Sequence, residues 1–188
     1  MLKIATHDSA TGEKPTWWSY ILIPFARTQS KTIREQYEYG CRSFDIRVRK
    51  SFGVWKCAHG PFVTKRTARS ILEELNSFNS NIQVCITYEG SGKHNLDFMD
   101  EVNKWKNEFK NIIYGPISVK YGEGSSITLV KYGYLDDGDP RYEGGVQGFL
   151  ALDGRSWHTY LPIPWLWNKL YTKSHVFNSE IFTYVDFL

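Results

Sequence analysis

Apolar residues along this chain recur with two periods, and their alternation predicts a domain of mixed strands and helices. The run Leu2-Lys3-Ile4-Ala5 reads as a strand over residues 2–6. Residues 30–39 place Ile33, Gln36 and Tyr37 three and four apart, with Gly40 as a stop, which predicts a helix. Strands follow at about 43–48 and 54–58. Residues 66–78 bring Ala68, Ile71, Leu72, Leu75 and Phe78 onto one helical face. Residues 95–110 do the same with Leu96, Met99, Val102, Trp105 and Phe109. Between these two helices, Ile82–Tyr88 has the length of a buried strand. Ile112–Tyr114, Ser126–Val130, Val146–Leu152 and Ile181–Phe187 are further strand candidates. Strands alternating with helices in about this number predict an α/β fold, a compact and irregular (β/α)8 TIM-type barrel. The chain has 188 residues, fewer than the ~250 usual for that architecture, so some outer helices should be short or missing. One domain over residues 1–188 is expected.

The polar residues at the strand ends carry the candidate chemistry. His7-Asp8 follows the first strand, and His59-Gly60-Pro61 follows the strand at 54–58. Between them, strand alternation puts Asp45, Arg47 and Arg49 on one face of the 40–49 segment, and Glu89 follows Ile82–Tyr88. The barrel expectation places His7, Asp8, Asp45, Arg47, His59 and Glu89 together on the C-terminal face, where such barrels hold their sites. Two imidazoles with a guanidinium between them are the equipment of phosphodiester cleavage. Histidine titrates near neutral pH and arginine offers a forked donor to phosphate oxygens. A lone histidine is most often structural, whereas two in these frames favour acid–base work. His94, His158 and His175 have no such frame and read as surface residues.

Composition narrows the partners. A net charge of +3 with no long basic run argues against nucleic acid. Cys41, Cys57 and Cys85 are an odd set in apolar segments, which predicts reduced core thiols and no zinc site. No leader or membrane-spanning run is evident, and with reduced thiols a cytoplasmic protein is expected. Aromatic residues make up 16% of the chain, and two clusters look exposed. One is Trp17-Trp18 running on to Phe25, the other Trp165 and Trp167 beside Pro162 and Pro164. Both suit a bilayer headgroup layer, although aromatic residues also pack under loops.

Taken together, the motifs resemble the X-region of phosphatidylinositol-specific phospholipase C, nearest the small bacterial type. The shared strings are His7-Asp8-Ser9, Arg27-Thr28-Gln29-Ser30, Ile33-x-x-Gln36-x-x-Tyr39-Gly40-x-Arg42-x-Phe44-Asp45-Ile46-Arg47 and His59-Gly60-Pro61. The resemblance covers residues 1–90 and returns weakly around Asp186. It implies cleavage of phosphatidylinositol to diacylglycerol and inositol 1,2-cyclic phosphate. His7 would be the general base oriented by Asp186, and His59 the general acid with Asp8 as partner. Arg47 would stabilise the phosphoryl oxygens, with Asp45 in support. Lys131, Tyr132, Asp153 and Glu89 would touch the headgroup. Because Arg47 stands where calcium-dependent relatives keep a carboxylate ligand, no metal or other cofactor is expected. Glu89 leaves open a calcium ion held by Asp8, Asp45 and Glu89. Also open are another phosphodiester substrate and a catalytically silent lipid-binding module.

Overall fold

A computed structural model describes residues 4–90, 94–119, 183–185 and 188. Its strands are β1 (Ile4–Thr6), β2 (Cys41–Ser51), β3 (Val54–His59), β4 (Phe62–Thr67), β5 (Ile82–Tyr88), β6 (Ile112–Val119) and β7 (Thr183–Val185). The α-helices are α1 (Ile23–Ala26), α2 (Ile33–Tyr39), α3 (Ala68–Asn76) and α4 (Asn95–Glu108), with 3-10 turns at Ser9–Gly12 and Trp17–Leu22. Five strands lie parallel in the order β7-β1-β2-β5-β6. In β5, Ile82, Val84, Cys85 and Ile86 are all buried, as a parallel strand covered on both faces requires.

The antiparallel hairpin β3–β4 departs from the predicted βα repeat. Strand β2 is long enough to serve two neighbours in succession on one edge. It pairs with β1 through Cys41–Phe44, then with β3 through Val48–Ser51. Val48 faces Cys57 of β3 on one side and Tyr88 of β5 on the other. The hairpin therefore continues the edge that β1 vacates, and β3 runs back toward the C-terminal ends of β1 and β5. Asp45 and Arg47 consequently lie within β2, not at its end as the barrel reading expected. The described strands form a seven-stranded mixed sheet, and they do not by themselves display the predicted closed barrel.

Each helix forms where its local chemistry allows. Thr32 caps α2 with a reciprocal box: its hydroxyl accepts from Glu35 N–H, and the Glu35 carboxylate accepts from Thr32 N–H. Gly40 ends α2 at φ 118°, a left-handed conformation that favours glycine. Helix α3 buries Ala68, Ile71, Leu72 and Leu75, as its spacing predicts. Helix α4 corrects the sequence reading: Leu96 is exposed, and Phe98, Val102 and Trp105 form the buried stripe. These side chains join Phe44, Ile46 and Val84 in one core, where Trp55 meets Tyr88, Phe98 and Trp105 edge-on or tilted. Cys41, Cys57 and Cys85 are buried free thiols, and burial pushes Cys41 and Cys57 up to about 12.

Candidate active site

Backbone strain at one residue starts the site. Beyond β1 the chain turns sharply, with Asp8 left-handed at φ 44°, ψ 47°, a conformation that aspartate tolerates better than most residues. Several neighbours hold this turn. The His7 carbonyl accepts from Gln29 Nε2 at 3.1 Å and from Thr28 Oγ1 at 3.2 Å. The Ser9 hydroxyl donates to the Thr6 carbonyl and accepts from Asp45 N–H at 2.9 Å. Asp45, fully buried, accepts the Asp8 N–H on Oδ2 at 3.2 Å. Gly12 permits the close approach of the following loop, since a Cβ there would sit 1.8 Å from the Lys31 carbonyl oxygen.

Arg47 occupies the centre. Its Nε lies 2.8 Å from Asp8 Oδ1 and 2.9 Å from Asp45 Oδ2, and its Nη1 lies 2.9 Å from Glu89 Oε1. Its Nη2 is 2.5 Å from His7 Nε2. One guanidinium thus binds three carboxylates and an imidazole in a buried cluster, where each charge needs its partners. Among the described residues, His7, Asp8 and Asp45 could hold a metal ion, with ligand atoms within 4.8 Å of one another. Their carboxylates are the ones that bind Arg47.

The two imidazoles share Asp8 but face different groups. Asp8 Oδ2 lies 3.2 Å from His7 Nε2 and 3.3 Å from His59 Nε2. The ring centroids are 6.2 Å apart at 76°. His7 Nε2 lies between the Arg47 guanidinium, which can only donate, and Asp8 Oδ2, which accepts. His59 Nε2 faces a carboxylate, and its Nδ1 lies 2.7 Å from the Ala26 carbonyl oxygen. Two acceptors favour a ring protonated on both nitrogens.

Structure brings His7, Asp8, Asp45, Arg47, Glu89 and His59 together. Asp186, Lys131, Tyr132, Asp153, Trp165 and Trp167 lie outside the described residues. Val185, which precedes Asp186, stands opposite Thr6 in the register of β7 and β1. Glu89 is 4% exposed, and both its oxygens accept hydrogen bonds from within the protein. Trp17 and Phe25 are exposed, while Trp18 lies half-buried between Trp17 and Phe52. Sequence reasoning did not single out Phe52 or the Ala26 carbonyl. A Phe-Gly pair between two strands was an available signal for Phe52, but a backbone carbonyl leaves no mark in a sequence.

No protein-family model matches the chain. A curated relative, the 1-phosphatidylinositol phosphodiesterase of Listeria monocytogenes, is 24% identical over 112 residues, 58% of this chain and 34% of that protein. The chain resembles phosphatidylinositol-specific phospholipase C. The solved Listeria monocytogenes enzyme of that name aligns at a TM-score of 0.46 and 20% identity, covering 64% of this chain and 50% of its own. The F249X mutant of the Staphylococcus aureus enzyme aligns at 0.45 and 18% identity, with coverage of 62% and 48%. This chain spans about a third of the curated relative and about half of each phospholipase C structure.

Proposed function

We propose that the site cleaves a phosphatidylinositol-type phosphodiester at the glycerol–phosphate bond, with His7 as base and His59 as acid. The carrying observation is the contrast between the imidazoles on either side of Asp8. His7 Nε2 meets a guanidinium donor beside the shared carboxylate, whereas His59 meets that carboxylate with Nε2 and a backbone carbonyl with Nδ1. In the reaction, His7 takes the proton of the inositol 2-hydroxyl and that oxygen bonds to phosphorus. The bond from phosphorus to the glycerol oxygen breaks, and its electron pair leaves with diacylglycerol. His59 supplies the proton that neutralises the leaving oxygen, and the other product is inositol 1,2-cyclic phosphate. Each proton transfer contributes roughly 10²–10⁴-fold. Arg47 turns a donor from His7 to the phosphoryl oxygens as substrate enters, and Asp45 keeps its other edge fixed.

On this reading the fixed cation is Arg47, and no metal takes part. The guanidinium holds the Asp8 and Asp45 oxygens that a divalent ion would need. Asp186 orienting His7, and Lys131, Tyr132 and Asp153 contacting the headgroup, belong to the same proposal. So does peripheral docking through Trp17, Trp18, Phe25, Trp165 and Trp167 by a cytoplasmic monomer. No helix among the described residues is long and apolar enough to cross a membrane.

Incubation with phosphatidylinositol in mixed micelles and excess EDTA, followed by phosphorus NMR, tests the proposal. A cyclic inositol phosphate is the expected product. Turnover that requires calcium would overturn metal independence, and no turnover under either condition would overturn the substrate assignment.

A further inference from the structure

Glu89 takes no part in the proton transfers just described, yet its buried carboxylate joins the two groups that must act on one phosphodiester. Oε1 accepts from Arg47 Nη1 at 2.9 Å, and Oε2 accepts from the Gly60 N–H at 2.9 Å. That N–H belongs to the peptide bond linking His59 to Gly60. The Gly60 carbonyl accepts from Arg49 Nη1 at 2.7 Å. Gly60 itself is left-handed at φ 55°, so the turn has a conformation that few other residues would adopt. Two successive peptides behind the His59 ring are therefore tied to β2, one through Glu89 and one through Arg49. The Glu89 N–H bonds to the Val48 carbonyl at 2.8 Å, which anchors the residue itself to β2.

We propose that Glu89 is a positioning residue that fixes the distance between the Arg47 guanidinium and the His59 imidazole. The inference rests on the acid–base reading above. Arg47 must reach the non-bridging oxygens of the substrate while His59 reaches the bridging oxygen that leaves. These oxygens share one phosphorus, so the two groups must keep a fixed separation. A misplacement of ~1 Å can cost on the order of 10²-fold. A carboxylate meets the need because it offers an acceptor to each side. The amide of glutamine offers only one, and its NH2 would face the other donor.

The test compares Glu89→Gln with wild type on two soluble inositol phosphodiesters in EDTA. One has an alkyl alcohol leaving group, which needs protonation, and the other a nitrophenolate, which does not. Turnover of the alkyl ester should fall about tenfold further than that of the nitrophenyl ester, with KM little changed. Equal losses on both esters, or none, would overturn the proposal. Arg49→Met removes the second tie to the turn. It should show the same leaving-group bias, and it decides the matter if Glu89→Gln fails to fold. A signal independent of turnover is the Gly60 amide proton, which a carboxylate acceptor shifts downfield. It should move upfield in Glu89→Gln together with the His59 ring nitrogens. An unmoved Gly60 signal would overturn the bridge. Wild-type inactivity on both esters would instead overturn only the phosphodiesterase reading.

Discussion

What separates His7 from His59 is the donor or acceptor that each ring nitrogen meets. If His59 protonates the leaving oxygen, its absence matters only where that oxygen is a poor leaving group. His59→Ala should therefore lose on the order of 10²–10⁴-fold on an alkyl ester and far less on a nitrophenyl ester. His7→Ala should lose comparably on both, measured as initial rates on the same pair. A His59→Ala variant equally impaired on both esters would remove the acid assignment. The side chains of this site were legible because His, Asp, Arg and Glu interrupt or directly follow apolar strand-like segments. The resemblance implied the Asp8–His59 and Asp45–Arg47 contacts that the structure shows, but not the partners of Glu89. Glu89 read as a headgroup contact, yet its oxygens turn inward to Arg47 and Gly60, a direction that spacing alone cannot give.

Elements were legible where a single face is buried and both ends are marked. Helix α2 has Thr32 at its start and Gly40 at its end, and α3 has an unbroken apolar stripe. Thr32→Ala should cost about 1 kcal/mol and lower Tm by roughly 2–4 °C, checked by thermal denaturation. The Thr32 backbone N–H, followed by its hydroxyl, holds the exposed Glu35 carboxyl below the usual range. The stabilisation from Glu35 is thus present above its unfolded-state value and is lost as pH falls through its folded one. Strand β4 escaped notice because its Lys65-Arg66 end reads as the start of α3. In α4, Leu96 and Phe98 are two residues apart, and only packing against Trp55 and Tyr88 decides between them.

Among the described residues, the three most exposed large apolar side chains come from two separate elements. Trp17 (80% exposed) and Ile21 (79%) come from the segment before α1, and Phe52 (91%) comes from the tip of the β2–β3 hairpin. Trp18 stacks edge-on with both Trp17 and Phe52, which joins the elements into one patch. Replacing Trp17 and Phe52 together by alanine should weaken binding to phosphatidylinositol vesicles by about tenfold or more. Cleavage of a soluble ester should stay near wild type. Equal losses in sedimentation and in soluble turnover would show that the patch packs against protein. The parallel sheet was foreseeable from helix–strand alternation, whereas the hairpin was not, because nothing in β2 announces a change of partner at Val48.

The length of β2 acts as a ruler. Phe52 follows the end of β2 five residues beyond Arg47, at most about 17 Å away at the rise of a strand. If Phe52 rests among lipid headgroups, the guanidinium stands above them by up to that height. The scissile phosphate must then climb out of its own layer to be cut, drawing acyl carbons after it. Each methylene pulled into water costs about 0.8 kcal/mol, and neighbouring lipids resist or assist the climb according to how tightly they are packed. Under that docking, the tension of the membrane would become part of the activation barrier.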